Sequence, residues 1–167
     1  VDIANTAKEE LSRMMVGRDI SFRVEKGPFK PGNVVLEVDG LSVPSRVHKK
    51  NAVSDVSFSV REGEIVCLAG IEGNGQTEFV AALTGLEKAS AGSITLNGCD
   101  ISHASIRARS CAGMSHIPED RHKHGLVLDY TLAENLVLQR YWQEEFQFRG
   151  FIRRDSVRKY AKRLIEQ

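Results

Sequence analysis

The sequence predicts an α/β fold that combines a mixed β-sheet with helices. Segments rich in β-branched residues alternate with segments whose apolar residues recur at helical spacing. In the middle of the chain, a continuous apolar run leads directly into a glycine-rich loop and then into a helical pattern, an order typical of parallel or mixed sheets. A length of 167 residues, 41% of them hydrophobic, is enough for one domain with its own core.

Residues 1–33 are predicted to be a linker region that contains one short helix. Apolar residues have helical spacing over Thr6–Met15, and Gly17 follows as a stop signal. The segment Lys26–Gly32 holds two prolines and two glycines, a composition that breaks both helix and strand. The core is therefore expected to begin near Val34.

Residues 34–125 are predicted to form the first part of the core. Val34–Val38 and Val53–Val60 have the partly alternating, β-branched pattern of half-exposed strands. Glu64–Ala69 is continuously apolar after its first residue, which predicts a strand buried on both faces. The loop that follows it ends where Thr77–Leu86 takes on helical spacing.

The rest of the chain is predicted to continue the alternation and then to become helical over residues 126–167. The expected elements are a strand at Ser93–Leu96 that turns at Asn97-Gly98, a helix at Ile106–Ser110, a strand at Gly113–Ile117, a helix at Thr131–Tyr141 and a final basic helix capped by Asp155. A sheet of this kind needs later strands, so we expect the sequence to be incomplete at its C-terminus.

Composition excludes several classes of protein. No run of about 18 apolar residues or signal peptide occurs in these residues, so we expect any membrane role to come through a partner. The odd number and wide spacing of Cys67, Cys99 and Cys111 indicate buried thiols in a reducing compartment, not disulfides or a zinc site. A net charge of +1 gives no sign of nucleic-acid binding.

The glycine-rich loop between the predicted buried strand and helix is the candidate functional site. Glycines allow successive backbone N–H groups to converge on phosphate oxygens, and a helix N-terminus adds the favourable end of its dipole. The residues that we expect to contact nucleotide are Gly70, Glu72, Gly73, Asn74, Gly75, Gln76, Thr77 and Glu78. A plain tight turn remains an alternative, whereas a dinucleotide fingerprint would need a third glycine where Glu78 stands.

One position of this loop departs from the full phosphate-binding pattern. The pattern calls for a lysine that reaches the outer phosphates and for a hydroxyl that holds Mg²⁺. Thr77 supplies the hydroxyl, but Gln76 replaces the lysine. Losing the charge is expected to weaken nucleotide affinity about ten- to a hundredfold and to impair hydrolysis more.

The chain resembles the ATP-binding cassette (ABC) family over most of its length. The matching motifs are "VSDVSFSVREGEIVCLAG" before the loop, "EFVAALTGLEKASAGSITLNG" after it, "GMSHIPEDR" at the place of the family's Q-loop, and "TLAENL". Three features, "EELSRMMVGRD", "GIEGNGQTE" and "PEDRHKHGLVLDYTLAENL", resemble the second cassette of tandem ATPases that serve sugar and nucleoside importers. The Gly-Asn-Gly-Gln form of the loop favours the nucleoside branch.

The resemblance implies a P-loop NTPase-like cassette core with an antiparallel β-subdomain, followed by the start of a helical subdomain. It implies ATP and Mg²⁺ as cofactors, with Thr77 and Glu119 near the metal, because Glu119 stands where the family has its Q-loop glutamine. The alternative for Glu119 is a loop cap beside Arg121. The implied partners are transmembrane permease subunits, the first cassette of the same chain and, indirectly, an extracytoplasmic solute-binding protein, at the cytoplasmic face of the membrane.

The sequence also departs from the family. The aromatic residue that stacks on adenine would fall near Val47 or His48, so that platform is expected to be missing. The signature, Walker B and switch motifs do not occur within these residues, so the 167 residues alone are expected to be inactive, with no catalytic residue among them. His116, His122 and His124 are not expected to bind a metal.

Two other functions stay open. A structural cassette would keep the fold without binding nucleotide, and the missing lysine and aromatic residue favour it. A soluble cassette ATPase of translation or repair is disfavoured by the linker and by the loop without lysine. The positive bias from Arg140 onward, eight basic against four acidic residues, indicates a solvated helical face or a contact with the permease.

Overall fold

The computed structural model describes residues 6–18, 27–28 and 30–167. The predicted linker Lys26–Gly32 lies partly outside these residues. In chain order the elements are α1 (Lys8–Val16), β1 (Val34–Pro44), β2 (Asn51–Arg61), α2 (Gln76–Thr84), β3 (Ala91–Leu96), β4 (Cys99–Asp100), α3 (Ile106–Cys111), a π-helical turn (Arg121–Gly125), α4 (Leu132–Val137), β5 (Gln147–Phe148), β6 (Phe151–Ile152) and α5 (Arg154–Ile165).

An antiparallel sheet with the order β2-β1-β3-β4 forms the body of the described chain. Its apolar side chains alternate along β1 and pack against one face of α2. The cluster consists of Val38, Leu41, Val43, Val53, Phe79, Ala82, Ile94 and Ile101. The ring of Phe79 lies 5.7 Å from that of Phe58. Burying Phe79 contributes roughly 2 kcal/mol or more and fixes α2 against the sheet.

A second, smaller core holds α4 and α5 together. Its buried members are Val137, Phe146 and Val157. The ring of Phe146, which is completely buried, meets Tyr160 edge-on with centroids 5.1 Å apart. At the start of α4, the hydroxyl of Thr131 accepts from the N–H of Glu134, whose side chain accepts in turn from the N–H of Thr131. This capping box fixes where the helix begins.

Two predicted strands are wrong. Glu64–Ala69 and Gly113–Ile117 are not strands in the structure. Ile65 and Ile117 are each 87% exposed. A strand buried on both faces needs neighbours on its edges and cover on its faces, and no described strand pairs with either segment.

Three smaller predictions also need correction. The helix expected over Thr131–Tyr141 ends earlier, at Val137. Asp155 does not cap the last helix, because Arg153 occupies the N-cap position and Asp155 lies in the first turn. The three cysteines are exposed and free, although they were expected to be buried, because Cys67 lies in the uncovered segment and the other two at the surface.

Candidate functional site

The glycine-rich loop enters α2 through two residues in the left-handed region. Gly73 has φ of 89° and Gly75 has φ of 90°. Gly75 is buried, and a Cβ on it would collide with the carbonyl oxygen of Ala52 in β2. The loop therefore packs backbone to backbone on the sheet, which only glycine permits at this position.

Backbone N–H groups at the start of α2 are left without acceptors. The amides of Gly73, Gly75, Gln76, Thr77 and Glu78 donate to no other atom in the described part of the chain, and no side chain caps this helix. The first N–H groups of a helix carry partial positive charge and are a ready anion site. The geometry of the loop thus fits a phosphate group.

The side chain of Gln76 is folded back into the loop. Its Nε2 donates to the carbonyl oxygen of Ile71 at 3.3 Å. A Cβ on Gly70 would collide with the same amide, so Gln76 lies directly against Gly70. The neutral side chain therefore stabilises the loop internally and brings no charge to it. The hydroxyl-bearing Thr77 is exposed at the first turn of α2.

A cavity of about 340 Å³ lies beside the loop. Its walls come from the loop, from the start of α2 and from the connection between β1 and β2. The lining residues are Ser45, His48, Lys50, Asn51, Ala52, Gly73, Asn74 and Glu78. Of the predicted contacts in the loop, Gly73, Asn74 and Glu78 therefore face one space. The others do not line it: Gly70, Glu72, Gly75, Gln76 and Thr77.

The β1–β2 connection is held in shape by its own hydrogen bonds. The hydroxyl of Ser45 accepts from the N–H groups of Val47 at 3.2 Å and His48 at 3.1 Å. The N–H of Ser45 donates to the carbonyl oxygen of Lys50 at 3.1 Å. An ion pair between Arg46 and Glu87, beyond the end of α2, ties the connection to the loop's helix.

Sequence reasoning missed Lys50 and treated His48 only as the site of a missing aromatic residue. Both residues line the cavity. Lys50 supplies positive charge beside the glycine-rich loop, where Gln76 supplies none. The sequence shows a polar His-Lys-Lys-Asn run between two predicted strands, but nothing in the run indicates that the fold brings it beside the loop.

The structure does not bring Glu119 to the loop cavity. Its side chain is exposed, and no described residue bonds to it. The capping role considered for Glu119 belongs to Asp120, whose Oδ1 accepts from the N–H groups of His122 and Lys123, both at 3.0 Å. The role of Glu119 as a magnesium ligand stays a prediction.

Arg109 is a buried cation that clamps the far end of α2. It is 3% exposed, and its guanidinium donates only to carbonyl oxygens. The acceptors are Ala82 at 3.2 Å, Leu83 at 2.7 Å, Ser102 at 2.9 Å and Ala104 at 3.0 Å. Burial lowers the pKa of Arg109. A positive charge at a helix C-terminus is favourable, so Arg109 fixes the helix whose other end forms the loop.

An apolar concavity of about 220 Å³ lies before and along α4. It is lined by Leu126, Val127, Leu128, Tyr130, Leu132 and Asn135. Asn135 holds this segment together: its Oδ1 accepts from the N–H of Val127, and its Nδ2 donates to the carbonyl oxygens of Val127, Tyr130 and Thr131. These hydrogen bonds hold the lining segment in one conformation, so the concavity has a defined shape.

Comparisons with known proteins identify the family of the chain. The sequence profile of the ABC transporter family matches residues 53–167. The chain is 43% identical over its whole length to the guanosine import ATP-binding protein NupO of Bacillus subtilis, and covers 32% of it. It is also 43% identical over its whole length to the nucleoside import ATP-binding protein NupA of Lactococcus lactis, and covers 33% of it. The chain thus spans about a third of the length of these relatives.

A solved structure supports the fold. A chain described as an ATP binding subunit of an ABC transporter matches with a TM-score of 0.50 and 29% identity, over 67% of this chain and 45% of that chain. Together with the antiparallel sheet and its flanking helices, this likeness confirms the predicted α/β cassette fold. None of the helices in the described part of the chain has the length and apolar character that a membrane span needs.

Proposed function

The chain belongs to the ABC transporter family, and on that premise we propose that it forms the nucleotide-binding part of an importer's ATP-binding subunit. The subunit would couple ATP binding and hydrolysis to the uptake of a nucleoside or a simple sugar. The nucleoside assignment is supported by the two relatives that are each 43% identical and whose names specify guanosine and nucleoside import. A glucose import protein is 32% identical over 99% of the chain.

The observation that carries this proposal is the row of unpaired N–H groups at the start of α2. Gly73, Asn74, Gly75, Gln76 and Thr77 would surround the phosphates of ATP, with the cavity beside them available to the rest of the nucleotide. The exposed hydroxyl of Thr77 fits a Mg²⁺ ion that the phosphates also bind. Hydrolysis of the phosphoanhydride bond between the β- and γ-phosphates of ATP would drive transport.

The same site is proposed to be degenerate. Gln76 is neutral, and its amide is already bonded within the loop, so the charge that stabilises phosphoryl transfer is missing here. Nucleotide would bind between this loop and the first cassette, and closure of the two would move the permease. Most of the hydrolysis would occur at the other composite site.

The proposed partners follow from this arrangement. Permease subunits would contact the subunit at the cytoplasmic face of the membrane, and an extracytoplasmic binding protein would deliver the solute to them. The apolar concavity before α4, with Leu128 at 66% exposure, offers a surface for a permease segment. Glu119, in the segment that leads to this concavity, would couple it to the nucleotide.

A structural cassette without nucleotide is the second candidate. The folded-back Gln76 favours it, because the loop holds its shape without a ligand. Glu78 also favours it, because this acidic residue lines the cavity and a carboxylate repels phosphate.

Peptide-resolved hydrogen exchange on the full-length protein distinguishes the two. We expect Mg²⁺ with ATP to protect residues 70–84, and the Gln76→Lys variant to reach half-protection at about ten- to a hundredfold lower ATP concentration. Thr77→Ala should weaken protection only when Mg²⁺ is present.

The matched control is Thr84→Ala, at the opposite end of α2, where the hydroxyl bonds to the carbonyl oxygen of Val80. This variant should bind ATP as the unmodified protein does. Absence of protection in every variant, with α2 still folded, would instead establish the structural cassette.

A further inference from the structure

A short β-hairpin projects from the α4–α5 core. β5 and β6 are joined by Arg149 and Gly150, which have φ of 49° and 86°. The side-chain oxygen of Gln147 accepts from the N–H of Gly150 at 3.0 Å. At its base, the N–H of Arg153 donates to the carbonyl oxygen of the completely buried Phe146 at 2.8 Å. The hairpin is therefore anchored firmly while its tip faces solvent.

The hairpin exposes large apolar side chains that no described residue covers. Phe151 is 79% exposed, Phe148 is 55% exposed and Ile152 is 48% exposed. Three such neighbours on a four-residue ladder are more than the scattered apolar residues of an ordinary surface. Their arrangement indicates a contact surface.

Arginines frame these aromatic rings. The guanidinium of Arg149 lies 5.2 Å from the centre of the Phe148 ring, and that of Arg153 lies 5.4 Å from it. Both arginines are exposed and have no carboxylate partner among the described residues. A ring attracts a cation without neutralising it, so these guanidinium groups can still bind an anion.

The positive charge continues along α5. Residues 147–167 carry seven basic and two acidic residues, a net charge of +5, although the whole chain has only +1. The basic residues are Arg149, Arg153, Arg154, Arg158, Lys159, Lys162 and Arg163. The remaining 146 residues thus carry a net charge of −4, so the charge is separated to one end of the chain.

We propose that the hairpin and the basic face of α5 bind an anionic phospholipid surface. Basic residues are attracted to the negative headgroups, and exposed aromatic residues enter the boundary between headgroups and acyl chains. Phe148 and Phe151 would enter that boundary, and Arg149 and Arg153 would contact phosphate. This surface is separate from the nucleotide loop and orients the protein at the membrane independently of the permease.

Liposome sedimentation with the full-length protein, in the absence of permease, tests this inference. The vesicles are phosphatidylcholine alone and a 3:1 mixture of phosphatidylcholine and phosphatidylglycerol, in about 0.1 M salt. We expect binding to the anionic vesicles only. An Arg149→Gln, Arg153→Gln double variant should lower the partition coefficient about thirtyfold, since each basic residue near such a surface contributes roughly fivefold.

A Phe148→Ser, Phe151→Ser variant should also lower binding at least tenfold, because apolar insertion is lost. The matched charge control is Lys88→Gln with Lys123→Gln, which removes two exposed positive charges elsewhere and should change binding less than twofold. Hydrogen exchange of α4 and α5 verifies that each variant is folded.

Equal binding to both kinds of vesicle, or equal loss in the charge control, would overturn the inference. It would also be overturned if the hairpin variants bound lipid normally but no longer co-purified with the permease, because the surface would then recognise protein. If Mg²⁺ with ATP does not protect residues 70–84 but the protein still binds anionic vesicles, the proposed function is contradicted and the lipid surface remains supported.

Discussion

Replacing Arg109 by methionine should loosen α2, although Arg109 lies at the end of the helix opposite the nucleotide loop. The guanidinium is the only described donor to the carbonyl oxygens of Leu83, Ser102 and Ala104. Each carbonyl that loses its donor costs roughly 1 kcal/mol at these partly buried positions. Methionine relieves the cost of burying a cation, but it also fills less of the site, and the void that it leaves offsets that gain. The expected loss is about 3 kcal/mol.

Native-state hydrogen exchange measures this loss locally, as the opening free energy of the α2 amides. The control is Arg107→Met, the same substitution in the same helix, at an exposed residue whose guanidinium lies 5.1 Å from the Trp142 ring. It should leave α2 unchanged. Arg109→Lys should lie between the two, because an ammonium group cannot reach all the carbonyls. A change below about 1 kcal/mol for Arg109→Met would refute the reasoning, since water would then replace the guanidinium at little cost.

Three further outcomes are expected. Lys50→Gln should weaken ATP binding about five- to tenfold in exchange titrations, whereas Lys49→Gln, which does not line the cavity, should not. Gly75→Ala should destabilise α2 by roughly 2 kcal/mol more than Gly73→Ala. Both glycines have positive φ, but only Gly75 lacks space for a Cβ. Equal losses of stability in exchange experiments would contradict this. Hydrogen bonds from the hydroxyl of Thr131 and, second, from its backbone N–H lower the pKa of Glu134. The capping box is therefore fully formed above the ordinary carboxyl pKa and is lost as pH falls through the lowered pKa. An NMR titration should show α4 fraying in that lower pH range, and Glu134→Gln should remove this pH dependence.

Local chemistry made much of the fold predictable. Gly17 and Gly85 end α1 and α2 in the left-handed conformation, and the side chain of Thr131 caps α4. The strands over Glu64–Ala69 and Gly113–Ile117 could not be predicted in the same way. An apolar run shows that a segment suits burial, but it does not identify the strands and helices that would cover it.

The candidate site was predictable where it depends on backbone chemistry. Gly73, Gly75 and Thr77 stand out because their residue types meet a stated requirement of phosphate binding. Lys50 and Arg109 were missed for a different reason. Lys50 lies in the connection between β1 and β2, which the fold brings beside the loop. Arg109 acts through carbonyl oxygens that are also brought together by the fold, so neither role has a signal in local spacing.

The bonds of Asn135 have a mechanical consequence. One side chain joins both ends of the segment from Val127 to Thr131 to the first turn of α4 through four hydrogen bonds. Stretching the segment away from the helix would break several of these bonds at once, whereas tilting segment and helix together breaks none. A force applied at the apolar concavity would therefore move the segment and α4 together. Little of the movement would be absorbed by deformation of the segment, so it would be transmitted to the core around Phe146.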